Sequence, residues 1–219
     1  NGNLNREDWN RFDKQITFLM NAPIYIDDTP GLSIFELRTK ARRLVREHNI
    51  ELIMIDYLQL MNASGMRFNS RQEEVSIISR SLKGLAKELN IPIIALSQLN
   101  RGVEGREGVE GKRPLLSDLR ESGAIEQDAD MVLFVHRPEY YHLEYGPNGE
   151  DYRGMAEIII AKHRKGATDI ILLKFRGKYT RFENPDDNMF ENRLNSGGEI
   201  VGSKINAEDH ALPFPPPGI

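Results

Sequence analysis

Leu52-Ile-Met-Ile-Asp56, then Val75, Ile78, Leu82, Leu85 and Leu89, then Ile91-Pro-Ile-Ile-Ala-Leu96 together decide the fold. The two outer runs are short and almost wholly apolar, as strands buried on both faces of a parallel sheet must be. The residues between them recur at steps of three and four, which lays an apolar stripe along one side of a helix. Strand, helix, strand is a crossover unit, right-handed in nearly all folds, with its helix against the sheet. Working outward, Pro23 to Ile26 and Met131 to Val135 are similar apolar runs and are expected as two further strands of the same sheet. Ser33-Ile-Phe-Glu36 has capping-box spacing and opens a helix with Leu37, Ala41, Leu44 and Val45 on one face and Arg38, Arg42 and Arg46 on the other. The expectation is an α/β domain with a mostly parallel, doubly wound sheet.

Beyond Val135 the pattern changes. Ala156 to Ala161 and Ile170 to Phe175 flank the basic stretch Lys162-His-Arg-Lys-Gly166, which predicts two antiparallel strands, with a third over Tyr179 to Phe182. Arg101 to Lys112, with four glycines and six charged residues, is expected as a flexible loop. From about Asn184 the chain is rich in Asn, Asp, Gly and Pro and ends in Pro213-Phe-Pro-Pro-Pro-Gly218, too poor in apolar residues for a core. Residues 1–184 are therefore expected to form one domain and residues 185–219 a flexible tail.

Composition narrows the function classes. Hydrophobic residues make up 39% and charged residues 28%, and no apolar run approaches the roughly 20 residues of a membrane span. Cysteine is absent, which removes disulfides and thiolate metal sites and fits a reducing, cytoplasmic setting. A net charge of −4 argues against a broadly basic exterior, so any nucleic-acid contact must be local.

Four groups carry candidate chemistry. Asp56 ends an apolar strand, and in an open parallel sheet ligands bind beyond the carboxyl ends of strands. A carboxylate there can hold a magnesium ion beside nucleotide phosphates, as a Walker B aspartate does, or it can simply cap the next turn. Gln98 follows the neighbouring strand, and its amide can both donate and accept, which suits a γ-phosphate sensor as well as a plain strand cap. Lys162 and Arg164 stand two apart, so their cations share a face and can clamp developing phosphate charge; a solvated turn looks the same in sequence. In Ser117-Asp-Leu-Arg-Glu-Ser-Gly-Ala-Ile-Glu-Gln-Asp-Ala-Asp130, Arg120 supplies a cation and Gly123 lets a phosphate backbone approach closely, although ordinary helix capping explains the same residues. Asp128 and Asp130 raise a metal-nuclease reading, but no His or Cys accompanies them at ligand spacing.

Met54 to Met61, Ser79 to Leu89, Ala95 to Arg101, Ser117 to Asp130 and Ile158 to Arg164, taken in order, closely resemble the DnaB family of bacterial replicative helicases. The resemblance covers about residues 1–184 and implies a RecA-like P-loop NTPase fold, a homohexameric ring, and ATP- and magnesium-driven 5′-to-3′ movement on single-stranded DNA. It implies contacts with a primase and a helicase loader, and no membrane association. Position by position, it matches Asp56 to the Walker B aspartate and Gln98 to the γ-phosphate sensor. Lys162 and Arg164 match the basic pair that reaches the neighbouring subunit's ATP, which such a ring makes possible. Arg120, Glu121 and Gly123 match the channel loop that tracks DNA, and Arg67 and Arg71 fall in a second channel loop. A RadA-like recombination ATPase would share Asp56 and the sensor but not the Ser117 to Asp130 block, and a non-catalytic DNA-binding or assembly module would keep the loops alone.

One expected feature is missing from these residues. No G-x-x-x-x-G-K-[ST] phosphate loop occurs, nor the catalytic carboxylate that follows it in the family, so the domain is expected to be truncated at its N-terminus. The 219-residue chain by itself is therefore expected to show no magnesium-dependent ATP turnover, measured by phosphate release from the purified protein.

Overall fold

The computed structural model describes residues 5–65, 67–146 and 149–185. Two helices precede the first strand: α1 (Arg6–Met20) and α2 (Ile34–His48). Ser33 caps α2, its hydroxyl accepting from the Phe35 N–H at 3.2 Å, and Asn49 ends it in the left-handed conformation at φ 51°. β1 (Ile53–Ile55), α3 (Arg71–Leu89) and β2 (Ile93–Ala95) form the expected crossover, and the strands pair in parallel with Ile53 opposite Ile93 and Ile55 opposite Ala95. Ser70 caps α3, and Val75, Ile78, Leu82 and Leu85 of its stripe are buried.

The core is built where α3 meets its neighbours. Ile78, Leu82 and Val75 pack with Ile34, Leu58, Met61, Ala63 and Ile125, while Leu85 packs with Ala41 of α2 and Ile53 of β1. On the rim, Arg38 of α2 donates to Glu88 of α3 at 2.6 Å, and Arg42 pairs with the same carboxylate.

The second sheet is antiparallel, in the order β3 (Met131–His136), β4 (Met155–His163), β5 (Asp169–Arg176), β6 (Arg181–Glu183). The β4–β5 hairpin matches expectation and a third strand follows, but over Arg181–Glu183 and not from Tyr179, which closes a 3-10 turn; the partner of β3 differs outright. Met131 to Val135 does not extend the parallel sheet but lies antiparallel to β4, with Val132 opposite Lys162 and Phe134 opposite Ile159. Its burial alternates accordingly: Val132, Phe134 and His136 are buried, whereas Met131, Leu133 and Val135 are about half exposed. Apolar residues on both faces conceal that period of two in the sequence.

Two other expectations change. Pro23 to Ile26 joins no ladder: Pro23 has no N–H to give, the Ile24 N–H closes a tight turn onto the Ala22 carbonyl at 2.7 Å, and Ile24 and Ile26 are exposed. Arg101 to Lys112 is ordered into a 3-10 turn over Arg101–Gly105 and the short helix α4 (Gly108–Lys112). Asn100 caps the turn through the Gly102 N–H at 3.0 Å, Val103 is buried, and Arg106 is fixed to Asp118 at 2.5 Å. Specific anchors thus overcome the flexibility that the glycines suggest. Most of the expected tail, residues 186–219, lies outside the described residues.

A buried charge cluster ties this segment to the antiparallel sheet. Arg113 holds Glu157 of β4 in two hydrogen bonds of 2.9 and 2.6 Å, and His136 of β3 meets the same carboxylate at 3.0 Å. Burial pushes the Glu157 carboxyl up, but the hydrogen bonds from His136 and Arg113 and their charge outweigh it and hold the group at about 2. Because this value lies below the ordinary 4.5, the stabilisation is complete above the ordinary carboxylate range and is lost as pH falls towards 2. Arg113→Met leaves Glu157 buried with one partner removed and is expected to cost about 3–5 kcal/mol at neutral pH. Urea unfolding of both proteins should show that difference shrinking as pH falls from about 4.5 towards 2; a difference independent of pH would contradict the assignment.

Candidate nucleotide and nucleic-acid site

The parallel pair brings two polar side chains to one edge. Past the strands the ladder continues, with the Leu96 N–H donating to the Ile55 carbonyl and the Leu58 N–H to the Leu96 carbonyl, both at 2.9 Å. Asp56 and Gln98 therefore emerge together at the carboxyl end of the sheet, where a doubly wound fold binds ligands. Both residues are exposed, and neither side chain has a hydrogen-bond partner among the described residues. Both are free to meet a ligand.

The backbone of Gln98, in contrast, is held tightly. Gln59, on the 3-10 turn Leu58–Leu60, accepts from the Gln98 N–H at 3.2 Å. Its amide nitrogen donates to the Ser97 hydroxyl at 3.0 Å and approaches the Gln98 carbonyl at 3.4 Å. Gln59, Gln98, Asn100, Arg101 and Asp118 are among the residues lining a cleft of about 290 Å³.

Asp118 joins that cleft to the Ser117 to Asp130 segment. Its carbonyl accepts from the Asn100 N–H at 3.0 Å, and its carboxylate takes the Leu115 N–H at 2.7 Å together with Arg106. Leu116–Ser122 is a 3-10 helix that runs into α5 (Gly123–Asp128). Arg120 and Glu121 lie in the first of these, and their side chains lie outside the described residues. Gly123 opens α5 on an exposed corner, and a Cβ added there would meet nothing within 4 Å. Packing within the chain does not demand that glycine.

At the far end of the same segment rests the basic pair. Lys162 donates to the Glu126 carbonyl and, at 3.4 Å, to that of Gln127. Arg164 reaches the same Gln127 carbonyl at 3.1 Å and Asp130 at 3.3 Å. Both cations thus lie on the carboxyl end of α5, where its free carbonyls concentrate negative potential. Lys83 also pairs with Asp130 and, with the charge of Arg164, keeps that carboxyl below its ordinary range.

The remaining pair of expected DNA-binding residues splits. Arg67 is exposed and has no partner among the described residues. Arg71 is engaged at home, donating to the Gln59 and Met61 carbonyls at 2.8 and 2.7 Å and pairing with Glu74 at 2.5 Å. It braces the loop that carries Arg67. The sequence by itself does not single out Gln59, Asp118 or Arg106. Its one signal is a lone polar residue inside the apolar Tyr57-Leu-Gln-Leu-Met61.

A magnesium ion held mostly by water and phosphate oxygens needs only one or two protein carboxylates. Asp56, exposed and unpaired, fits that demand, and no group of three His, Asp or Glu able to cage a metal occurs among the described residues. Nor, among those residues, is any helix long and apolar enough to cross a membrane.

Comparison with known proteins adds a family to this geometry. The profile described as "DnaB-like helicase C terminal domain" matches residues 1–184. The chain is 48% identical over 202 residues to the "Replicative DNA helicase DnaC" of Bacillus subtilis, covering 92% of itself and 42% of that protein. It is 51% identical over 183 residues to the "Replicative DNA helicase DnaB" of Pasteurella multocida, covering 83% of itself and 37% of that protein. The chain thus spans about four-tenths of the length of these relatives. Among solved structures it is similar to a DnaB-like replicative helicase, studied with its interactions with primase, at 40% identity and a TM-score of 0.73 over 84% of this chain and 42% of that one. A second solved chain, described as an ATPase domain, gives the same identity and TM-score over 84% of this chain and 62% of that one.

Proposed function

Because the chain belongs to the DnaB-like helicase C-terminal domain family, whose profile covers residues 1–184, we propose that it is most of the motor domain of a hexameric replicative DNA helicase. The whole protein would hydrolyse ATP with magnesium, move 5′ to 3′ on single-stranded DNA in the cytoplasm and open duplex at the fork, working with a primase and a loader. One observation carries this reading beyond the family: the Ser117 to Asp130 segment is bonded at one end to the loop after Gln98 and at the other to Lys162 and Arg164.

Each residue then has a physical task. Bound ATP and magnesium supply the phosphoryl chemistry. Asp56 would hold the magnesium ion through water, and the Gln98 amide would hydrogen-bond the terminal phosphate, so that its loss would be felt along the strand end. Lys162 and Arg164 leave the α5 carbonyls for the phosphates bound on the adjacent subunit, where they neutralise charge developing in the transition state. Arg120, Glu121 and Gly123, at the junction of the 3-10 helix and α5, follow the DNA backbone, and Arg67 adds a phosphate contact from a loop braced by Arg71. An acidic chain can bind DNA in this way because only the inner loops of a ring need be basic.

If the site is shared between subunits, two broken chains can repair one another. In the full-length protein, Asp56→Asn is expected to lower DNA-stimulated ATP hydrolysis by about 10–100-fold. Lys162→Ala/Arg164→Ala should lower it about 1000-fold or more. Mixed rings of the two should regain part of the activity, because some interfaces then pair an intact Asp56 with an intact basic pair; a mixture no better than its parts would count against a shared site. For DNA, Arg67→Ala should weaken single-strand binding and flatten the plot of log affinity against log salt by about 0.7 for each phosphate no longer neutralised. An unchanged slope would remove Arg67 from the interface.

A further inference from the structure

The sheet edge shows why Asp56 and Gln98 are exposed, but not what sets the direction of the Gln98 side chain. A side chain at a strand end is aimed by its own backbone, and beyond Leu96 that backbone no longer pairs with the neighbouring strand's backbone. Its place is taken by one side chain. Gln59 offers an acceptor to the Gln98 N–H and a donor toward the Gln98 carbonyl, at 3.2 and 3.4 Å, so that a single amide engages both polar groups of one residue's backbone. The donor also reaches the Ser97 hydroxyl at 3.0 Å. Two-point pairing of this kind limits the rotation of the Gln98 peptide units.

Gln59 is itself held. It lies three residues after Asp56, on a turn whose Leu58 N–H continues the β1–β2 ladder, and its carbonyl accepts from Arg71 at 2.8 Å. Arg71 also holds the Met61 carbonyl and thereby fixes the start of the loop that carries Arg67. Three parts of the site therefore meet at one residue: the strand that ends in Asp56, the backbone of Gln98, and the root of the Asn62 to Arg71 loop.

We propose that Gln59 is a positioning residue that aims Gln98 at the nucleotide and ties it to the Arg67 loop. This rests on the reading of Gln98 as the phosphate sensor. Without the Gln59 amide, Gln98 keeps its side chain but no longer holds it in the productive direction. The loss therefore falls on turnover and on its response to DNA, while ATP affinity changes little.

The test uses the full-length protein with Gln59→Met, which matches the length of glutamine without its amide, Gln98→Ala, and the double variant. Thermal melting and size-exclusion chromatography establish that each folds and assembles. Gln59→Met is expected to lower DNA-stimulated kcat by on the order of tenfold, since small misplacement of a reacting group costs up to about a hundredfold, with KM for ATP within about twofold of wild type. Gln98→Ala should give a similar loss, and the double variant no more than the worse single, the non-additivity of residues acting in one chain of contacts. Hydrogen exchange should be faster in the peptide containing Leu96 to Asn100 in Gln59→Met. If Gln59→Met does not assemble, Gln59→Glu carries the same test: it keeps the acceptor for the Gln98 N–H and sets a carboxylate oxygen against the Gln98 carbonyl. A Gln59 variant with wild-type turnover, or losses that add in the double variant, overturns the positioning role while leaving the sensor reading intact. A Gln98→Ala protein with full DNA-stimulated turnover overturns the sensor reading, and the proposal with it.

Discussion

Three residues of parallel ladder, Ile53 to Ile55 against Ile93 to Ala95, carry the geometry of the candidate site. The pairing is short, and everything polar at the sheet edge takes its place from it. The ladder extends by single hydrogen bonds from Leu96 and Leu58, and then side chains replace backbone: Gln59 for Gln98, Arg71 for Gln59. Beneath it, the α3 stripe packs Ile78 and Leu85 into two adjoining clusters that fix the strands from one side. Displacing the ladder would move Asp56, Gln98 and both candidate DNA loops together.

The antiparallel sheet is organised by a different force. Its buried members are not all apolar: Glu157 and His136 sit fully inside, and Arg113 reaches in from the chain after α4. Such a cluster is a poor source of net stability compared with apolar packing, but it is strict about geometry, since each partner removed leaves a buried charge uncompensated. Here it fixes the 101–113 segment, whose Arg106 in turn holds Asp118. Position is thus transmitted from the sheet interior to the start of the Ser117 to Asp130 segment through ionic contacts.

Much of this is legible in the sequence, for identifiable reasons. The β1–α3–β2 crossover announces itself because a run of consecutive apolar residues beside a three-and-four stripe has few other solutions. Asp56 and Gln98 are legible because they end such runs. The partner of β3 is not: with apolar residues at Met131 to Val135 on both faces, nothing local distinguishes a parallel strand from an antiparallel one. Pro23 to Ile26 fails for the complementary reason, since apolar character does not create a neighbour to pair with. The order in Arg101 to Lys112 comes from contacts with Asp118 and Glu157, 12 and 44 residues away from their partners, and no short window contains them. Gln59 escapes notice because its role lies in a backbone contact 39 residues distant, which residue type alone does not encode.

The resting place of Lys162 and Arg164 has a consequence of its own. Their main partners are neutral carbonyls at the end of a six-residue helix, with one exposed carboxylate at 3.3 Å from Arg164. A hydrogen bond from a cation to a neutral carbonyl contributes about 1.5–3 kcal/mol and an exposed ion pair about 1 kcal/mol or less, whereas phosphate oxygens carry charge themselves and bind such cations more strongly. Two cations kept on neutral carbonyls are stored without being committed: they stay oriented, with Arg164 about half exposed, and can be handed to a charged acceptor with little reorganisation of the domain that lends them.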